Sequence, residues 1–291
     1  MLPVRAAYHP APMDARAFLG LQQSHNPFRW HLEVAPGLVT GGNFLFGGCG
    51  LGAAISALEG TTGRPCVWAA AQYLSFARTG DVLDIDVTVA VEGHQITQAR
   101  AIGHVGNREI LTVNAALGVR PLEAAGQWEH SPLTADVPRP EECPPRPSHH
   151  AAEGTIDERL HIRLAAGRLS QDLDGRPGDG HTLAWARIPE VIEGVDAAAQ
   201  AILGDFVPMG VGQAIGTPAG GTSLDNTLRV VRLVPTEWVL LDIRVHAVNH
   251  GFGHGLVHMF AEDGTLLATA SQTCLVRFWP ETSSSPGRRS R

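Results

Sequence analysis

No Cys-x-x-Cys pair occurs in this sequence, and its four cysteines, Cys49, Cys66, Cys143 and Cys274, lie far apart. That spacing offers neither a zinc site nor a disulfide framework, so no metal is expected and a reducing compartment fits best. Apolar runs long enough to cross a bilayer are also missing. The opening residues Met1-Leu2-Pro3-Val4-Arg5 carry neither the basic nor the apolar region of a secretion signal. The expected location is therefore cytoplasmic, with no membrane as partner. Basic residues are outnumbered, 22 Lys+Arg against 29 Asp+Glu, and the formal net charge of −7 provides no field for a phosphate backbone. Nucleic acid is excluded as a natural partner on that ground, although a local basic patch could still hold a small anion. The Gly-x-Ser-x-Gly of serine hydrolases does not occur. Gly41-Gly42 and Gly47-Gly48 do not build the Gly-x-Gly-x-x-Gly of a dinucleotide site.

What is present is enough to bury a core: 44% of the residues are hydrophobic and 18% charged, over a length that fits one large domain or two small ones. Prolines crowd the stretch from Pro132 to Pro147, and since proline fixes φ and removes a donor, this run reads as a linker. Either side of it, the sequence repeats. Val82-Leu83-Asp84-Ile85-Asp86-Val87 matches Leu240-Leu241-Asp242-Ile243-Arg244-Val245 at an offset of 158 positions (84 to 242), without a gap. The same offset carries Gly93 onto Gly251, Gly106 onto Gly264 and Asn114 onto Gln272.

Each copy opens with a helix candidate, Gly48 to Glu59 in the first and Val195 to Leu203 in the second. Alternating segments follow, at 67–77, 83–91, 95–104 and 109–118, and again at 223–233, 238–248, 255–261 and 266–278. Val105-Gly106-Asn107-Arg108 and Glu262-Asp263-Gly264-Thr265 read as hairpin turns, and the run 171–180 as an insertion in a hairpin. One apolar helix followed by an antiparallel meander describes a helix wrapped in a curved sheet. The expectation is an α+β double hotdog: an N-terminal unit over 1–125, a linker over 126–155, a C-terminal unit over 156–280 and a flexible tail over 281–291.

Several local motifs occur in a family-like order. They are Phe46-Gly47-Gly48 and Ser75-Phe76-Ala77-Arg78-Thr79-Gly80-Asp81 in the first copy. In the second they are Gly204-Asp205-Phe206, Thr222-Ser223-Leu224-Asp225, Glu237-Trp238-Val239-Leu240-Leu241, Gly255-Leu256-Val257-His258, Asp263-Gly264 and Ser271-Gln272. Over roughly residues 41–278 the chain resembles the acyl-CoA thioesterase II family. The resemblance implies hydrolysis of acyl-CoA to free fatty acid and CoA, with no bound cofactor, in lipid metabolism. It also implies a water-activating trio of an aspartate after the second helix, a threonine opening the next strand and a glutamine in the last strand; those positions hold Asp205, Thr222 and Gln272. The family's His-Ser-Tyr-Phe is replaced here by Tyr73-Leu74-Ser75-Phe76, which bears on substrate range more than on reaction type.

These residue types suit the chemistry. A thioester is reactive enough for direct attack by water that is held in line and partly deprotonated, so a carboxylate can take the proton while a hydroxyl and an amide fix the water. Backbone N–H groups at the glycine-opened helix start, Gly47 and Gly48, are the candidates for stabilising the oxyanion. Each residue also has a plainer reading: Asp205 as a helix end, Thr222 as a turn hydroxyl, Gln272 as a structural amide like its repeat partner Asn114. His246, His250, His254 and His258 recur every fourth residue, but intervening glycines argue against a helix, which leaves them on two strands rather than around a metal. A double-hotdog enoyl-CoA hydratase would need a histidine after Gly204-Asp205-Phe206-Val207-Pro208, and none follows. A non-catalytic acyl or polyketide-chain carrier on the same fold is the rival of another class. Free sheet edges favour assembly into a homodimer or homotetramer.

Overall fold

The computed structural model describes residues 14–120, 128–130, 137–146, 154–191 and 194–279. The opening pentapeptide, His149-His150, the tail 281–291 and parts of the linker lie outside the described residues. In chain order the elements are α1 (Ala15–Leu19), β1 (Gln22–Gln23), β2 (Arg29–Glu33), α2 (Gly47–Thr62), β3 (Cys66–Tyr73), β4 (Val82–Glu92), β5 (Ile96–Val105) and β6 (Arg108–Gly118). Then come α3 (Ile156–Arg159), β7 (His161–Ala166), β8 (His181–Arg187), α4 (Ala197–Leu203), α5 (Val207–Ile215), β9 (Ala219–Val230), β10 (Val239–Asn249), β11 (Phe252–Ala261) and β12 (Leu266–Phe278).

Period-two alternation decides which strand face meets the helices. In β4, Leu83, Ile85 and Val87 are buried while Asp84 and Asp86 between them are more open. The strands join edge to edge into one 12-stranded sheet in the order β1-β2-β4-β5-β6-β3-β9-β12-β11-β10-β8-β7. Read from the centre outward, both halves give the same succession: β3, β6, β5, β4, β2 on one side and β9, β12, β11, β10, β8 on the other. The sequence repeat is thus a structural one, and the seam is the antiparallel pairing of β3 with β9, from Trp68 opposite Arg229 to Gln72 opposite Asp225. That pairing uses up an edge each unit would otherwise leave open. Gly106 and Gly264, repeat partners, both hold positive φ in equivalent turns.

Helix α2 is buried without a break from Gly48 to Leu58, because the first half of the sheet covers one side and α4 the other. The contact with α4 is backbone-close. A Cβ at Gly48 would come within 2.8 Å of the Ile202 Cα and carbonyl oxygen, and one at Gly52 within 2.9 Å of the Ala198 carbonyl oxygen.

Here the structure corrects the sequence expectation. The helix expected near 195–203 forms as α4, but it packs on α2, and the helix lying in the second half of the sheet is α5. Its sequence, VPMGVGQAI, looks like a loop because of its proline and glycines. The proline sits in the first turn, where it needs no N–H. The glycines let the helix lie close to the sheet: a Cβ at Gly212 would meet the Ala219 carbonyl oxygen at 2.9 Å.

The proline-rich run does more than tether the halves. Its 137–146 portion lies on the outer face of the second half, where Trp185 Nε1 donates to the Pro138 carbonyl at 2.8 Å. Cys143 joins a small outer core with Leu183, Trp185, Trp238, Leu240, Phe260 and Leu266. The turn-rich run 171–180 sits, as expected, between the paired strands β7 and β8.

Candidate active site

Between α4 and α5 the chain reads Gly204-Asp205-Phe206-Val207-Pro208. Gly204 ends the first helix, and Pro208 is tolerated only in the opening turn of the second, so the sequence imposes a break. Asp205 stands in that break, 4% exposed, against the N-terminus of α2. Its Oδ2 accepts the Gly48 N–H at 2.7 Å. Its Oδ1 accepts the Gln272 Nε2–H, and the Ser223 hydroxyl at 3.2 Å. Gln272 Nε2 also donates to Ser223 Oγ at 2.6 Å, so one amide group holds both the carboxylate and the hydroxyl. Tyr73 closes the far side, its hydroxyl donating to the Gly47 carbonyl at 2.9 Å.

Burial pushes the Asp205 carboxyl up to about 7, against the downward pull of hydrogen bonds from Gly48, Gln272 and Ser223 and of the nearby Asn226 amide. The positive end of α2 works in the same direction as those donors. A buried carboxyl poised near neutrality, with two hydrogen-bonding side chains fixed on one oxygen, can take a proton from water and return it.

Asp205 and Gln272 therefore meet, and the third member of the cluster is Ser223 where the sequence expectation placed Thr222. The reason is a bulge. In the pairing of β9 with β12, Thr273 is opposite Asp225 but Cys274 is opposite Ser223, which leaves Leu224 as the extra residue. Ser223 thereby joins Asn226 and Leu228 on the face of Gln272 and Cys274, while Thr222, opposite Leu275, falls on the other face. Thr222 does reach the cavity wall. Nothing in the local sequence announces the bulge, and Ser223, Asn226 and Tyr73 carry no signal in periodicity.

The two glycines also separate in role. Gly48 N–H, a candidate oxyanion donor, is engaged with the aspartate, because a buried carboxylate facing a helix N-terminus takes the first donor available. Gly47 lines the cavity, and a Cβ there would fall 2.6 Å from Asp205 Oδ2.

Asp205 and Ser223 form part of the wall of a cavity of about 820 Å³, a size usual for ligand sites. Apolar side chains supply much of its surface, among them Phe44, Phe46, Leu160, Leu164, Leu173 and Met209, and Arg146, Arg168 and Arg277 line it as well. The histidine series lies elsewhere: His246 is on β10, His250 in the turn, and His254 and His258 on β11. Among the described residues no three His, Cys, Asp or Glu side chains gather as metal ligands would, and no helix is long and apolar enough to cross a membrane.

Comparison with known proteins follows the same lines. A family model described as the acyl-CoA thioesterase C-terminal domain matches residues 140–276. No curated protein matches. A solved structure from Novosphingobium aromaticivorans, provisionally named a thioesterase, is 33% identical, with 87% of this chain and 96% of that one covered and a TM-score of 0.75. A protein with a hot dog fold from Alicyclobacillus acidocaldarius is 20% identical, with 89% and 96% covered and a TM-score of 0.74. An acyl-CoA thioesterase II from Mycobacterium marinum is 17% identical, with 92% and 99% covered and a TM-score of 0.68. The latter two show the shared fold. With that 33% identity over nearly the whole of a related chain and the matching C-terminal family model, this chain belongs to the acyl-CoA thioesterase II family of thioester hydrolases.

Proposed function

We propose that this enzyme hydrolyses acyl-CoA thioesters to free fatty acid and CoA, using water activated by Asp205 and aligned by Ser223 and Gln272. The observation that carries the reading is a buried carboxylate and a hydroxyl at the wall of a largely apolar cavity, both held by one amide, that of Gln272. In the reaction, the water oxygen bonds to the thioester carbon as its proton passes to Asp205. The C–S bond then breaks, and the proton goes from Asp205 to the departing thiolate sulfur. Gly47 N–H, at the cavity wall, is our candidate donor to the oxyanion. The apolar side chains suit an acyl chain. The three arginines suit the phosphates of CoA, anions whose oxygens a guanidinium can hold with paired hydrogen bonds.

Thiol release from acyl-CoAs of increasing chain length tests the reading. Turnover that depends on chain length is expected; tight binding of every acyl-CoA with no release of CoA would leave the carrier reading standing.

The position of the hydroxyl has its own test. Ser223→Ala should lower kcat by roughly 10-fold or more, as loss of one hydrogen-bonding group in a buried site does. Thr222→Val, on the opposite sheet face, should change kcat less than 2-fold. Steady-state kinetics of the two variants side by side decides between them.

A further inference from the structure

The amide of Asn226 is a group the mechanism above does not use. It sits on β9 at 1% exposure, directly across from Gln272 of β12 on one side and Ala71 of β3 on the other. Cross-strand partners share a sheet face with side chains in reach of each other, so Asn226 and Gln272 stand together on the face that carries Asp205. Asn226 Oδ1 has no hydrogen-bond partner and Gln272 Oε1 beside it has none either; Asn226 Nδ2 meets no acceptor at full hydrogen-bond geometry, yet the amide lies close enough to Asp205 to act on its carboxyl as a donor. A buried acceptor left without a partner is costly, and the donor in register with it is the Asn226 amide.

The need is visible in Gln272. Its Nε2 must face Asp205 Oδ1 and Ser223 Oγ, yet a glutamine amide has nearly the same shape with its oxygen and nitrogen exchanged. Turned over, Oε1 would face the Asp205 carboxylate, oxygen against oxygen, and that contact would become repulsive. A donor placed behind Oε1 prevents the turn. Asn226 Nδ2 carries two protons, enough to serve Gln272 Oε1 and the nearby carboxylate together.

We propose that Asn226 is a positioning residue of the hydrolytic site: its Nδ2 donates to Gln272 Oε1 and to Asp205, fixing which way round the Gln272 amide lies. The proposal rests on Asp205 being the base. The other titratable groups facing Asp205 are Cys49 from α2, Tyr73 from β3 and Cys274 from β12, all held above their ordinary values chiefly by burial, and Asp225 of β9 lies nearby. Of the buried groups touching the site, Asp205 alone is poised near neutrality.

Asn226→Leu is expected to lower kcat about 10-fold with KM for an acyl-CoA changed less than 2-fold. The acid limb of its kcat/KM profile should move up by roughly one pH unit, since a carboxylate that loses a donor holds its proton longer. In a Gln272→Met background, the same change should cost about 3-fold instead of 10-fold, because the part of its effect that passes through Gln272 Oε1 is already gone and only the donation to Asp205 remains. Asn226→Ala, with the same expectations, serves if leucine does not fit. A folded variant with unaltered kcat and acid limb overturns the proposal, and so do effects that multiply independently of Gln272. Full turnover by Asp205→Asn would instead remove the reading beneath it, whatever the Asn226 variants do.

Discussion

Asp205→Asn is expected to lower kcat by roughly 10²–10⁴-fold, the range that a positioned general base contributes, while the chain still folds. The stability change runs the other way. In the wild-type protein this carboxyl has its folded-state value raised by burial to about 7, from an ordinary 3.8. The native state therefore keeps a proton that the unfolded chain gives up as the pH rises from about 4. Native stability falls across that window and levels off once the pH passes about 7. Asparagine carries no such charge, so the gap in Tm between Asp205→Asn and wild type should widen in favour of the variant from pH 4 to pH 7 and then stay constant. Turnover should follow the opposite course: with Asp205 as the base, kcat/KM of the wild type is expected to rise through pH 7 as the carboxyl ionises. Thermal unfolding and initial rates across pH 4 to 9 check both, and a variant that kept wild-type kcat would remove Asp205 from the mechanism.

The duplication was legible in the sequence because strand length and turn position are both under tight geometric control. Leu83, Ile85 and Val87 must face inward, Gly106 and Gly264 must turn at positive φ, and neither constraint tolerates a slipped residue. Two things escaped for equally physical reasons. Helix α5 is built from residues of poor intrinsic helix propensity, and it forms because the sheet around it buries its apolar side chains and rewards close backbone approach. The choice between Thr222 and Ser223 turns on a single unpaired residue, Leu224, which inverts the facing of the strand's first residues. Asp205 and Gln272 were singled out from the family resemblance, and the fold brings them into contact. What the sequence could not express is that Gly48 binds the aspartate, since that contact joins positions 157 apart.

Gly47 and Gly48 are neighbours in sequence, and alanine at each is expected to fail differently. A Cβ at Gly48 would press on the Ile202 backbone of α4 at 2.8 Å, and neither helix can yield without opening the core between them. Overpacking of this kind costs about 1–3 kcal/mol, occasionally more. Gly48→Ala should therefore lower Tm by several degrees and lower activity as the Gly48 N–H draws away from Asp205. At Gly47 the nearest atom is Asp205 Oδ2 at 2.6 Å, the end of a side chain, with the Tyr73 ring and hydroxyl at 3.2 Å. A carboxylate can swing where a backbone cannot, so Gly47→Ala should hold Tm near the wild-type value. The swing separates Oδ1 from Gln272 and Ser223, and kcat should fall by about 100-fold, since misplacement of a reacting group by an ångström carries a penalty of that order. Differential scanning calorimetry and kcat for the two variants form the test: equal Tm losses, or a Gly47→Ala enzyme of normal turnover, would mean that the close packing around Asp205 does not position the base.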